Sequence, residues 1–135
     1  MLKELKWRSD IAPDIMHAFI DKLKSFKTDI NGLEIYTLIA DPEANHFGTT
    51  ILYAMKEAGI DFNWGRIATP MDIKIPVSLT GITVHDLRNG KTCHPLMNAF
   101  LTLGMSAECF FDDPPTEIQL PALFVMLKPL SRFAI

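Results

Sequence analysis

The segment Leu33 to Ala40 (LEIYTLIA) runs directly into Asp41-Pro42-Glu43, and this junction constrains the fold more than any other stretch of the chain. The first part is almost continuously apolar and rich in β-branched and aromatic residues, as expected of a strand placed centrally or covered on both faces. The second part is a helix start. It has an acid at the N-cap, a proline where a missing N–H costs nothing, and a further acid beside the positive end of the helix dipole. Phe47, Ile51, Ala54, Met55 and Ala58 then recur on one helical face as far as Gly59, a natural C′ glycine. Ile60, Phe62 and Trp64 alternate with Asp61 and Asn63, which reads as a second strand. Residues 33–64 are therefore expected to form one βαβ unit.

A second unit is expected over residues 81–128. Gly81 to Leu87 reads as a strand and Arg88-Asn89-Gly90-Lys91 as the lead into a helix with Leu96, Ala99, Phe100 and Leu103 on its buried face, closed by Gly104. Ser106 to Asp112 is a further strand, Asp113-Pro114-Pro115 a turn, and Pro121 to Lys128 (PALFVMLK) the last strand. Shifted by 45 residues, Ile51, Ala54, Met55, Ala58 and Gly59 fall on Leu96, Ala99, Phe100, Leu103 and Gly104. That register marks an internal repeat of helix end and strand start. Between the units, Gly65 to Thr80 contains Pro70 and Pro76 and one short extended piece, Ile73 to Val77.

Ahead of both units, residues 1–28 form a helical segment. Pro13 to Lys27 places Met16, Phe19, Ile20, Leu23 and Phe26 on one face, and Asp29-Ile30-Asn31-Gly32 ends it. Phe19, Leu23 and Phe26 are the expected docking face, either onto the same domain or onto a second copy. The order predicts a single α/β (α+β) domain over residues 1–135, a ferredoxin-like βαββαβ sandwich with an added N-terminal helix and C-terminal strand. The alternative is a small flavodoxin-like three-layer sheet. The helix-free stretch between the units favours the former, because a parallel crossover normally carries a helix.

Composition narrows the function. The formal charge of −3 argues against nucleic-acid binding, which usually needs an excess of cations to neutralise phosphates. Met1 to Lys27 is nevertheless slightly basic, with Lys3, Lys6, Arg8, Lys22, Lys24 and Lys27. This is a solvated face or, alternatively, a segment lying beside an anionic membrane or partner. No apolar run reaches the roughly 18 residues that span a bilayer, and MLKELKWRSD lacks a signal-peptide core, so a cytoplasmic domain is the expectation. Two cysteines, Cys93 and Cys109, with no CxxC pair, indicate neither a zinc site nor a disulfide framework and read as dispensable.

Candidate chemistry is sparse. Gly90-Lys91-Thr92 resembles the end of a P-loop, but His85 stands where the first glycine belongs. What survives is an anion or nucleotide held by Arg88, Asn89, Gly90, Lys91 and Thr92 at a helix start, against the plainer reading of a surface turn. His85, Asp86, Cys93 and His94 point in diverging directions for a strand and a helix, so neither a metal set nor a catalytic dyad is expected, and no cofactor. The methionines read as core filling, and Trp7, Trp64 and Tyr36 as packing or a pocket wall.

The string KWRSDIAPDIMHAFIDKLKSFK, followed by a strand, DPEANHF and KEAGIDFNW, resembles a loosely defined family of uncharacterised small bacterial α/β domains. Arg8, Asp41, Glu43, Ala44, Ala58 and Gly59 carry the resemblance, with Ile60 where the family pattern usually shows Trp, and Lys128-Pro129 matches its ending. The resemblance implies a domain that often follows transmembrane helices, hence a soluble domain of a membrane-anchored protein or a free-standing form. The expected function is a non-catalytic protein-interaction or sensory module, with a protein partner or self-association into a homo-oligomer and only indirect contact with a membrane. The alternative is a small anionic-ligand or nucleotide-binding protein.

Overall fold

A computed structural model describes residues 7–67, 80–86, 91–111 and 121–129. The predicted extended piece at Ile73 to Val77 and the turn at Asp113 to Pro115 lie outside the described residues. The order of elements is α1 (Pro13–Ser25), α2 (Lys27–Ile30), β1 (Leu33–Leu38), α3 (Pro42–Glu57), β2 (Phe62–Ile67), β3 (Ile82–Asp86), α4 (Cys93–Leu101), β4 (Ala107–Phe111) and β5 (Ala122–Val125). The first helix stops at Ser25 rather than Lys27, and the expected turn is instead the short helix α2, closed by Gly32 at φ 86°.

The five strands among the described residues form one mixed sheet in the order β2-β1-β5-β3-β4. β1 pairs in parallel with β2 and with β5, β3 pairs in parallel with β4, and β3 runs antiparallel to β5. This corrects the expected ferredoxin-like order, in which each βαβ unit is split by a strand of the other. Here both units are unsplit, and β5, the last strand, lies between them. The physical reason is visible in the sequence of β5: ALFV is buried at every position, as a central strand requires. The reversal at β3 against β5 also sets the two units head to tail, so α3 and α4 begin at opposite ends of the sheet.

All four helices among the described residues contribute to a single apolar core on one face of the sheet. Phe19, Ile20 and Leu23 of α1, Ile30 of α2, Phe47, Ile51 and Met55 of α3, and Leu96 and Phe100 of α4 pack there over Ile35, Val84 and Leu123. The rings of Phe19 and Phe100 meet at 5.3 Å, tying α1 to α4. This differs from the flavodoxin-like alternative, where helices cover both faces. A smaller cluster of Leu38, Ala44, Ile67, Ala122, Phe124 and Met126 includes the opposite face, where Tyr36 stacks on Phe124 at 5.1 Å. Tyr36 also lies over Gly65, where an added Cβ would come within 2.7 Å of the ring. No described helix is long and apolar enough to cross a membrane.

The internal repeat is present as matched helix ends. Gly59 (φ 78°) and Gly104 (φ 73°) adopt the left-handed conformation that glycine tolerates without steric cost. Gly59 N–H donates to Lys56 O and Ile60 N–H to Met55 O; Gly104 N–H donates to Leu101 O and Met105 N–H to Phe100 O. Both pairs form the Schellman pattern, which satisfies carbonyls that a helix end would otherwise leave open.

Candidate functional site

The residues at the start of α3 form a buried polar arrangement that includes an ion pair. Asp41 caps the helix, accepting from the Ala44 N–H at 2.8 Å. Glu43, two residues on, is pulled inward by Arg8 from the N-terminal segment. Its carboxylate accepts from the Arg8 backbone N–H at 2.9 Å, from Nε at 3.0 and 3.2 Å and from Nη2 at 2.7 Å. Nη2 also donates to the Met126 carbonyl at 2.5 Å, just beyond β5, and the guanidinium lies 4.7 Å from the Phe47 ring centroid. One side chain thus joins the N-terminal segment, the start of α3 and the exit of β5.

Both partners are buried, at 9% exposure for Arg8 and 8% for Glu43. Burial pushes the Glu43 carboxyl up, but the hydrogen bonds from Arg8 and the charges of Arg8 and Lys128 outweigh it and leave the group below the usual carboxylate range. Arg8 keeps one buried donor, Nη1, without an acceptor. A buried donor with no partner carries the full cost of its lost hydration. Arg8 also lines a cavity of about 320 Å³ together with Gly81, Ile82, Met105, Ser106 and Lys128. A larger groove of about 520 Å³, between α1 and α3 beside Met16, His17, Tyr53 and Glu57, contains no such unpartnered buried group.

Of the anticipated anion turn, only Lys91 and Thr92 are described, before the start of α4 at the other end of the sheet. Arg88, Asn89 and Gly90 are outside the described residues; Lys91 is exposed and Thr92 buried. The N–H groups of Thr92 and Cys93 donate to one oxygen of Asp86, at 3.0 and 2.7 Å, and the Thr92 hydroxyl donates to Asp29 O at 3.1 Å. An internal carboxylate therefore accepts from two of the amides at this helix start. Phe19 and Leu23 are fully buried in the chain's own core and Phe26 half-buried, so this face docks on the same domain.

The cysteines require a correction. Cys93 and Cys109 are joined in a disulfide, their Cα atoms 6.1 Å apart. The parallel pairing of β3 with β4 brings the first residue of α4 over the middle of β4, a proximity that a spacing of 16 residues does not reveal. Among the described residues no three His, Cys, Asp or Glu side chains group as metal ligands. His85 is buried on the sheet face away from α4, and Asp86 turns toward α4.

Of the aromatic residues considered as pocket walls, Trp7 packs on His46 at 5.3 Å. Trp64 donates from Nε1 to Thr37 Oγ1 at 3.2 Å, under the Arg66 guanidinium. Tyr36 donates to Glu34 at 2.9 Å, and its hydroxyl pKa is raised by burial and by that carboxylate. The joining of Arg8 to Glu43 is not visible in the sequence. Glu43 is accounted for locally as a first-turn acid, and its partner lies 35 residues away. No family model matches the chain, and neither a curated protein nor a solved structure matches it.

Proposed function

We propose that this domain is a recognition module for a small ligand bearing one anionic group, received in the cavity beside Arg8 and Lys128. The observation that carries this reading is the buried Nη1 of Arg8, a cationic donor without an acceptor on a side chain that lines a cavity. With a small shift of the side chain toward the cavity, a carboxylate or phosphate oxygen there would supply the missing acceptor in a charge-assisted hydrogen bond. Lys128, on the same cavity wall, is close enough to lower the Glu43 pKa and places a second cationic side chain there beside Arg8. Ile82, Met105 and Pro129 supply apolar wall for the body of such a ligand.

The test is thermal melting in matched potassium salts of acetate, benzoate, phosphate and chloride. A ligand bound only by the folded state raises the melting temperature with the logarithm of its concentration. At least one oxyanion should do so beyond chloride, and Lys128→Ala, which leaves the Arg8 to Glu43 pair in place, should reduce the gain. No gain over chloride, or an undiminished gain in Lys128→Ala, overturns the proposal. A second reading, a protein-interaction or sensory module that self-associates, is favoured by the exposed indole of Trp64 on the edge strand β2. It predicts a mass in solution that falls to that of one chain in Trp64→Lys.

A further inference from the structure

The two cysteines of the Cys93 to Cys109 bond stand in unequal surroundings. Cys93 is completely buried at the first residue of α4, whereas Cys109 is partly exposed on β4, an edge strand of the sheet. Thiol–disulfide exchange requires a thiolate to reach one sulfur and expel the other. Burial closes the approach to Cys93. We propose that Cys109 is a thiol-modification site: a small external thiol, of the glutathione class, exchanges at Cys109 and releases Cys93 as the leaving thiolate.

The step balances without a further reactant. The incoming thiolate forms a new S–S bond to Cys109 Sγ while the Cys93 to Cys109 bond breaks, and its electron pair leaves on Cys93, which then takes a proton. A second external thiolate attacks the external sulfur of the mixed disulfide, frees Cys109 and departs as the oxidised small-molecule disulfide. The protein gains two electrons and the two external thiols lose them; the reverse sequence closes the bond again. The leaving sulfur sits in the first turn of a nine-residue helix, whose positive end favours a thiolate, while the Asp86 carboxylate on the Thr92 and Cys93 amides opposes it. Opening the bond uncouples the start of α4 from the sheet edge.

The experiment treats the oxidised wild-type chain briefly with reduced glutathione, quenches it in acid, alkylates the free thiols and maps the peptides. Glutathione is expected on Cys109 and the alkyl label on Cys93. In parallel, Cys93→Ser and Cys109→Ser are exposed to oxidised glutathione under native conditions, with folding checked by circular dichroism. The Cys109 thiol of the first variant should form the adduct at least ten times faster than the Cys93 thiol of the second. Glutathione found on Cys93 in the wild type, adduct rates within a factor of two, or free thiols on both cysteines after air oxidation would each overturn the proposal. The wild-type mapping decides it even if a serine variant fails to fold.

Discussion

The two βαβ units share a plan and differ in how it is fastened. In each, a helix follows a strand, an aspartate carboxylate accepts from at least one amide at the helix start, and a left-handed glycine closes the end. Beyond that, the first unit is held at the start of α3 by the buried Arg8 to Glu43 ion pair, which reaches out to the N-terminal segment and β5. The second is held at the start of α4 by a covalent bond to its own edge strand. Because β3 runs against β5, the two fastened helices start from opposite ends of the sheet. The difference teaches that one repeat can be secured by long-range charge in one copy and by a short-range crosslink in the other, with the same helix-end geometry in both.

Breaking the first fastening should have the larger effect. Arg8→Ala leaves the Glu43 carboxylate buried without its cation, and removing one member of a buried pair costs about 3 to 5 kcal/mol. Denaturant unfolding measures this directly, and Arg8→Met with Glu43→Leu should recover much of the loss, since an apolar pair leaves no charge behind. The same pair sets a pH dependence. The folded-state pKa of Glu43 is lowered, so its contribution is fully present above the unfolded carboxylate pKa and is lost as pH falls through the folded value. Glu43→Gln should flatten that acid limb of a stability-against-pH curve. A limb equally steep in the variant would mean that other carboxylates carry it.

Breaking the second fastening should cost less. Cys93→Ser with Cys109→Ser removes a crosslink closing a loop of about 16 residues, worth roughly 2 to 4 kcal/mol. The variant should still fold around Leu96 and Phe100, with a lower denaturant midpoint. An unchanged midpoint would show that the bond adds nothing to the packing of α4 on β3 and β4.

Much of this plan was legible in the sequence, for identifiable reasons. Apolar periodicity and punctuation by Asp41-Pro42, Gly59 and Gly104 act within a turn of the chain, so the helices, strands and repeat could be read from neighbours alone. Strand order could not. The position of β5 depends on pairing between segments far apart, and the pattern ALFV indicates a central strand without saying between which neighbours. The two fastenings escaped for the same reason. Arg8 finds Glu43 across 35 residues, and Cys93 finds Cys109 only after β3 and β4 have paired. The anticipated anion turn rested on helix-start amides, and the competing acceptor, Asp86, is six residues from the first amide that it takes.

Amide hydrogen exchange followed by mass spectrometry, with and without reductant and in Arg8→Ala, tests the separate fastening of the two units most directly. Reduction should speed exchange in the first turn of α4 and in β4 while leaving α3 unchanged, and Arg8→Ala should speed exchange at the start of α3 more than in α4. Equal acceleration of both helices by either change would contradict the account, because it would mean that the two units open as one.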